Sequence, residues 1–217
     1  MRMKTESFVF NKVRENTHVL WNESGEGVVI DPGCSDENEE RQLASFLAEQ
    51  RIRPLAALIT HSHFDHVAGT AFLVSRYGTE VWISERESDE LNRISDYSKL
   101  YFMHIDRPDR KKIRFFPADT KRLSFGSIEA RVIPLPGHTP GSVGYYFPEA
   151  GTLAAGDALR KGGMGTSETG YTEMMKYLQL HVLSLPDNTR LLFGHGEPST
   201  VGWEKQYNRF FKQLPSV

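Results

Sequence analysis

The sequence predicts a single α/β domain over residues 1–217, and two observations support this class. Short apolar runs typical of β-strands alternate with longer segments whose apolar residues recur every three or four positions, as in amphipathic helices. The composition, with 39% apolar and 25% charged side chains over 217 residues, is that of a globular protein with a substantial core. No low-complexity block or Ser/Gly linker divides the chain.

The N-terminal half is predicted to alternate strands and helices. A continuous apolar run at 55–59 has the pattern of a strand buried on both faces. Asp36 and Glu39 form a capping pair that marks the start of the first helix. In chain order, the predicted elements are strands 19–21 and 27–30, a helix over 36–51, strand 55–59, a helix from 65 or 66 to 78, strand 80–83 and a charged helical stretch over 85–102.

The C-terminal half is predicted to form a second sheet. Prolines and mixed charges break any period within 104–120, so this stretch is predicted as a loop with a short strand at 113–116. Turns containing Gly or Pro separate the apolar runs that follow. These runs predict strands at 121–125, 128–135, 142–147, 152–155 and 191–193, and helices at 172–185 and 201–214.

Charge and hydropathy exclude two classes of partner. The 26 Lys and Arg against 28 Asp and Glu give a net charge of −2, without the basic surface that nucleic-acid binding needs. No run approaches the roughly 18 apolar residues of a membrane span, and the N terminus lacks a signal-peptide pattern. The single cysteine, Cys34, agrees with a reducing compartment, and we assign it no role. We therefore expect a cytoplasmic protein that acts on a small molecule, with its oligomeric state left open.

Five of the eight histidines and two aspartates form one pattern. The run from His61 to His66 holds three imidazoles and a carboxylate, the ligands that borderline divalent metals take. Each candidate group follows the end of a predicted strand, where α/β proteins build ligand sites. The candidate metal ligands are His61, His63, Asp65, His66, His138, Asp157 and His195. The sequence therefore predicts a metal centre, whereas His18, His104 and His181 are interpreted as packed or solvated side chains.

The spacing within the run can serve two ions. After a strand, His61 and His63 can point to one side, whereas Asp65 and His66 turn toward a neighbouring position as a helix begins. Three later residues complete two groups that would hold ions about 3.5 Å apart around one hydroxide. The groups are His61, His63 and His138 for the first ion, and Asp65, His66 and His195 for the second, with Asp157 as the bridge.

Six short motifs occur along nearly the whole chain in an order typical of one superfamily. They are Asn16-Thr17, Ile30-Asp31-Pro32-Gly33, Thr60 to Gly69, Leu135 to Ser142, Ala155-Gly156-Asp157 and Phe193 to Thr200. With these motifs the chain resembles the metallo-β-lactamase superfamily, and within it the small glyoxalase II-like hydrolases. The resemblance implies an αββα sandwich, two mixed β-sheets flanked by helices, with two divalent metals at one edge. Zinc is the metal we expect, with iron and manganese as alternatives.

The resemblance also implies a metal-dependent hydrolase, with a thioester of the hydroxyacylglutathione type as substrate. Asp65 is expected to orient a hydroxide while it remains a ligand, and a thiol with a pKa of about 8.5 leaves without a strong general acid. Broad-spectrum zinc β-lactamases have a Cys where this chain has Asp157, and nucleases of the superfamily usually carry extra domains or basic surface. Both activities are therefore disfavoured.

Two alternatives to the hydrolase stay open at this point. An iron-dependent persulfide dioxygenase would use His61, His138 and Asp157 around one iron, leaving the rest of the first histidine run outside the ligand set. A metal-binding scaffold without turnover is the second alternative. The hydrolase is favoured because it uses all seven candidate ligands.

The segment after Asp157 departs from the family pattern. Glyoxalase II-like relatives have Lys or Arg at the position of Thr166, where they contact an anionic substrate. Arg160 and Lys161 are expected to replace that charge, with two solvated loop cations as the alternative. Four glycines within 160–170 predict a mobile segment that acts as a lid.

Overall fold

The computed structural model describes residues 3–89, 91, 103 and 105–211. It contains two six-stranded β-sheets that pack face to face, with helices on both outer faces, which confirms the predicted αββα sandwich. The first sheet has its strands in chain order: β1 Met3–Phe10, β2 Glu15–Asn22, β3 Glu26–Ile30, β4 Arg53–Leu58, β5 Glu80–Ser84 and β6 Ile113–Phe116. It begins as an antiparallel meander, and β3 to β6 run parallel.

The second sheet has the strand order β14-β13-β10-β9-β8-β7 and is antiparallel except between β10 and β13. Its strands are β7 Arg122–Phe125, β8 Ile128–Pro134, β9 Val143–Phe147, β10 Thr152–Ala154, β13 Arg190–Leu192 and β14 Ser199–Thr200. A two-stranded ribbon, β11 Leu159–Arg160 and β12 Gly163–Met164, lies outside both sheets.

Helices pack on the outer face of each sheet. Among the described residues, these α-helices include α1 Glu37–Glu49, α2 Phe64–Val67 and α3 Thr70–Tyr77 beside the first sheet, and α4 Tyr171–Tyr177 and α5 Val201–Tyr207 beside the second. A π-helical turn, Leu178–Val182, continues α4. Short 3-10 turns occupy Glu85–Glu87, Arg110–Lys112, Pro148–Ala150 and Gly156–Ala158. Asp36 caps α1 through hydrogen bonds from the amides of Asn38 and Glu39, as the sequence predicted.

Successive side chains of a strand point to opposite faces of its sheet, so the apolar side chains divide between the layer shared by the two sheets and the layer under the helices. On β2, Leu20 lies between the two sheets, whereas Val19 faces the helices. Val28 and Val29 on β3 divide in the same way. Because both faces of these strands are covered, their apolar runs are nearly continuous, and each fully buried side chain contributes roughly 1.5–3 kcal/mol of hydrophobic stabilisation. The apolar layers thereby fix the strand ends that carry the candidate ligands.

The helix predicted from residue 65 or 66 to 78 is two helices, because the chain breaks at Gly69. A Cβ at this position would lie 2.2 Å from Cys34 Sγ, and the Gly69 amide donates to the carbonyl of Pro32 at 2.7 Å. The Gly69 amide thus bonds the loop after β3 instead of a carbonyl of the preceding helical turn, and the close approach of Cys34 leaves room only for glycine. Burial raises the pKa of the Cys34 thiol, so it is protonated and serves as a small apolar group in this contact.

Other element predictions differ in outcome. The short strand at 113–116 is confirmed as β6, whereas β1 was not predicted, because only two of its eight side chains are buried. The helix over 201–214 is wrong in length: α5 ends at Tyr207, and Asn208 turns the chain. Most of the helical stretch over 85–102 lies outside the described residues, as do His104 and Leu214. That residues 1–217 form one domain stays a prediction.

The interpretation of His18 as a packed side chain agrees with its surroundings. It lies buried on β2, with Nδ1 2.8 Å from Ser7 Oγ and Nε2 3.1 Å from the carbonyl oxygen of Phe193. Burial lowers its pKa to about 4, so it is neutral at physiological pH. His181 lies half-buried on the π-helical turn. Within the described part of the chain, no helix has the length and apolarity needed to cross a membrane.

Candidate metal centre

The candidate ligands of the first group lie on loops from both sheets. His61 and His63 follow β4 of the first sheet, and His138 follows β8 of the second. His63 Nδ1 is 3.1 Å from His61 Nε2 and 3.0 Å from His138 Nε2. The three nitrogens therefore face a common point, as ligands of one ion must.

The candidate ligands of the second group also come from both sheets. Asp65 and His66 lie on α2 beside the first sheet, and His195 follows β13 of the second sheet. Asp65 Oδ2 is 3.2 Å from His195 Nε2 and 3.6 Å from His66 Nε2. These three donor atoms also lie within 4.8 Å of one another.

Asp157 lies between the two groups, on the 3-10 turn after β10. Its Oδ1 is 3.7 Å from His66 Nε2, and its Oδ2 is 3.6 Å from His195 Nε2 and 3.9 Å from His138 Nε2. One carboxylate thus faces both groups. The structure brings all seven sequence-predicted candidate ligands together at one edge of the sandwich.

Hydrogen bonds and contacts on the outer side of the imidazoles determine which ring nitrogen faces the centre. Each of the five rings presents its other nitrogen to an oxygen atom, an arrangement that orients metal-bound histidines. The pairs are His61 Nδ1 with Thr60 Oγ1 at 3.0 Å, His63 Nε2 with Glu168 Oε1 at 3.4 Å, His66 Nδ1 with Asp31 Oδ2 at 3.0 Å, His138 Nδ1 with Thr166 O at 2.9 Å and His195 Nδ1 with Arg14 O at 3.2 Å. When such a ring is neutral, its proton is held on the outer nitrogen, and the inner nitrogen presents a lone pair to the centre.

The protonation states of the first group fit a divalent cation. Burial lowers the pKa of His61, His63 and His138, with neighbouring imidazoles adding to the effect, so the three rings are neutral at pH 7. Neutral lone pairs separated by about 3 Å repel one another unless a cation lies between them. Metal binding requires this neutral state of the imidazole.

The second group also fits a cation, through its excess of negative charge. Burial alone would raise the pKa of Asp65, but His66 and His195 lower it to about 2, and the pKa of Asp157 is lowered by the same histidines. Burial would lower the pKa of His66, but Asp65, Asp31 and Asp157 raise it well above its usual range. In the described part of the chain, His66 Nε2 and Asp157 Oδ1 are buried without hydrogen-bond partners. A metal ion would satisfy both atoms.

Asp31 is a functional residue of the site that sequence reasoning missed. Its Oδ1 accepts from the Thr60 amide at 2.7 Å, and its Oδ2 accepts from the Thr60 hydroxyl at 2.6 Å and from His66 Nδ1. The side chain is buried, and φ is +48°. The sequence analysis named Asp31 only within the motif Ile30-Asp31-Pro32-Gly33 and gave it no role at the centre, although it follows the end of β3 as the candidate ligands follow other strands.

The segment after Asp157 contacts Asp157 itself and the first ligand group. Arg160 Nη2 is 3.1 Å from Asp157 Oδ2, and the half-exposed Arg160 lines a cleft of about 740 Å³ over the centre. Lys161 instead pairs with Glu197 at 2.8 Å. Thr166, where relatives were expected to have a cation, supports His138 through its main-chain carbonyl. That Arg160 and Lys161 bind substrate stays a prediction.

The segment predicted to act as a lid is hydrogen-bonded to the loop that carries His138. The carbonyl of Gly137 accepts from the Glu168 amide at 2.8 Å and from the Ser167 hydroxyl at 3.0 Å. Together with the bond from His138 to Thr166, these contacts make residues 166–168 a wall of the centre. Its movement as a lid stays a prediction.

Comparisons with known proteins agree with this geometry. A family model described as "Metallo-beta-lactamase superfamily" matches residues 11–214. The hydroxyacylglutathione hydrolase GloC of Haemophilus influenzae is 27% identical over 215 residues, covering 96% of this chain and 98% of that protein. Among solved structures, BLEG-1 B3 metallo-beta-lactamase superposes with a TM-score of 0.85 at 27% identity, covering 96% of this chain and 99% of the other. TTHA1623 in a di-iron-bound form gives 0.81 at 30% identity, covering 94% and 99%.

Proposed function

The chain belongs to the metallo-β-lactamase superfamily, and on this basis we propose that it hydrolyses thioesters of the hydroxyacylglutathione type at a centre of two divalent metal ions. The observation that carries the proposal is the arrangement of seven donors in two groups that share Asp157. Two cations held there would lower the pKa of water toward about 7 and so supply hydroxide at neutral pH.

The side chains around the cleft support attack by water without a separate general acid. Asp65, ionised because its pKa is held at about 2, can orient the attacking water with one oxygen while the other contacts His195. Glu197 lines the same cleft, but the hydrogen bond from Lys161 lowers the pKa of its carboxyl, so it is no proton donor at neutral pH. A thiolate leaving group needs no such donor, which favours thioesters.

The choice of thioester also draws on the relatives. The matched protein of Haemophilus influenzae is named a hydroxyacylglutathione hydrolase. The structural neighbours are described as a β-lactamase and as a di-iron-bound protein, so β-lactams and iron belong in any test. We propose zinc as the native metal, a cytoplasmic location and a small-molecule substrate.

The native metal is tested by metal analysis and oxygen uptake on protein purified without added metal. The reaction class is tested by assaying metal-free protein reloaded with zinc against thioesters, lactones, phosphodiesters and a β-lactam. We expect about two zinc ions per chain and preferential release of thiol from the thioesters. The metal-free protein is the matched control and should be inactive. One iron per chain, with oxygen uptake on glutathione persulfide, would instead establish the dioxygenase alternative.

Arg160 is the better supported of the two proposed substrate-binding cations, because Lys161 is already paired with Glu197. We expect Arg160→Met to raise KM for anionic thioesters about tenfold, the loss of one charge-assisted hydrogen bond, with a smaller change in kcat. Lys161→Met is the matched control and should change KM less. Zinc content is measured in parallel because Arg160 also contacts Asp157. An equal rise in KM for neutral and anionic substrates would contradict this role.

A further inference from the structure

A fully buried carboxylate, Glu87, lies between the two loops that carry the first ligand group. It is on the 3-10 turn that follows β5, and its side chain has 0% exposure. The sequence interpretation placed it in a charged helical stretch and gave it no role. Its location behind the metal centre requires another explanation, because burying a carboxylate is costly unless its oxygens are fully hydrogen-bonded.

Both carboxylate oxygens of Glu87 are satisfied by the ligand loops. Oε2 accepts from the Ser62 amide and the Ser62 hydroxyl, each at 2.7 Å. Oε1 accepts from the Thr139 hydroxyl at 2.7 Å and from the Gly141 amide at 2.8 Å. These four partners are donors without formal charge, so the carboxylate joins two segments of main chain.

The two segments are those that carry the first ligand group. Ser62 is the residue between His61 and His63, and Thr139 follows His138 directly. The first loop extends from β4 of one sheet and the second from β8 of the other. A single side chain therefore fixes the separation of ligands that come from different sheets.

We propose that Glu87 is a positioning residue that sets the metal affinity of the first group, His61, His63 and His138. The inference rests on the proposed two-metal centre and goes beyond it, since Glu87 is not itself in any ligand group among the described residues. Without Glu87, the two loops would lose four hydrogen bonds next to the ligands, and we expect the three nitrogens to converge less closely on one point.

The hydrogen bonds from Ser62, Thr139 and Gly141 require a carboxylate at position 87. Each oxygen faces a backbone N–H, which cannot rotate to become an acceptor as a hydroxyl can. An amide at this position would set its NH2 group against the amide of either Ser62 or Gly141. Gly141 is equally constrained, because a Cβ there would lie 2.5 Å from Glu87 Oε1.

The molecule offers a matched control at the opposite end of the sandwich. Glu26, on β3 of the first sheet, accepts from the Ser127 amide at 2.9 Å and the Ser127 hydroxyl at 2.6 Å. Ser127 lies in the turn between β7 and β8 of the second sheet. Glu26→Gln therefore disturbs the same kind of link between sheets, away from the metal ligands.

The test isolates each metal site in the full-length chain. In a His195→Ala background only the first group is complete, and in a His138→Ala background only the second. Zinc affinity is measured by competition with a chelator, and the visible absorption of bound Co(II) reports ligand geometry. We expect Glu87→Gln to weaken zinc at the first group about tenfold and to change its Co(II) spectrum, since supporting residues typically contribute 10- to 100-fold to metal affinity. The second group should keep its affinity, and Glu26→Gln should alter neither.

Four outcomes would decide against these ideas. Unchanged zinc affinity and Co(II) spectrum at the first group in Glu87→Gln would overturn the role of Glu87, as would equal weakening by Glu26→Gln. If Glu87→Gln fails to fold, Ser62→Ala, which removes only the hydroxyl bond, must weaken the first group alone, and no change would overturn the proposal. A wild-type chain that binds fewer than two zinc ions would instead overturn the two-metal function itself.

Discussion

Asp157→Asn is expected to reduce kcat/KM on the preferred thioester by a factor on the order of 10²–10³, the range observed when one preorganised electrostatic group is removed. The carboxylate faces His66 through Oδ1, and His195 and His138 through Oδ2. The amide of asparagine is neutral, and its NH2 group would replace one of the two carboxylate oxygens that face the imidazoles. Both metal groups lose their shared ligand, so zinc content should fall together with activity.

Steady-state kinetics and metal analysis check this prediction. Asp187→Asn is a suitable control, because Asp187 is exposed and pairs with Lys205 on the surface. The control should keep wild-type kinetics and metal content. An Asp157→Asn protein with two zinc ions and near-normal kcat/KM would show that Asp157 is not the bridge.

Asp31→Asn is expected to weaken the second metal group about 100-fold, although Asp31 contacts no metal in our assignment. Asparagine tolerates the left-handed backbone at this position, so the fold around it is preserved. Its carbonyl oxygen must face the Thr60 amide, and its NH2 group then faces His66 Nδ1. His66 Nδ1 must accept, which moves the ring proton to Nε2 and occupies the atom that would bind metal.

Nuclear magnetic resonance of the imidazole nitrogens in zinc-free protein checks the tautomer, at a pH high enough to neutralise His66, whose pKa is raised. Zinc titration in the His138→Ala background checks the affinity. Asp36→Asn is the control, because asparagine and aspartate are equally good N-cap residues and Asp36 caps α1. If Asp31→Asn keeps the Nδ1-protonated tautomer of His66 and normal zinc affinity, the orienting role of Asp31 is wrong.

The strand pattern predicted the α/β class, and the positions of the candidate ligands after strand ends predicted where they would meet. The αββα arrangement came from the family motifs. Apolar runs such as 55–59 need only local periodicity, and the loops after parallel strands necessarily meet at one edge. The distinctive spacing of His61, His63 and His66 then marked which edge residues carry chemistry. For these features, the local sequence contains the physical cause.

The supporting shell could not be predicted in the same way. Asp31 and Glu87 are far in sequence from their hydrogen-bond partners. The sequence analysis placed Asp31 in a family motif and Glu87 in a charged helix, and neither placement indicates a contact with a ligand. The break of the helix at Gly69 depends on contact with Cys34, which periodicity cannot detect. Each missed feature is a tertiary contact, and that is where single-sequence reasoning reaches its physical limit.

The origin of the ligands in both sheets bears on how the protein acquires its metals. A nascent chain that has completed the first sheet offers four donors, but neither group is complete until His138 and then His195 have been synthesised. Because a half-built group binds weakly, ions enter only after the second sheet has docked, and their binding energy then stabilises the docked state. Metal uptake is therefore expected to be a late step in biogenesis and to report that the whole sandwich has assembled.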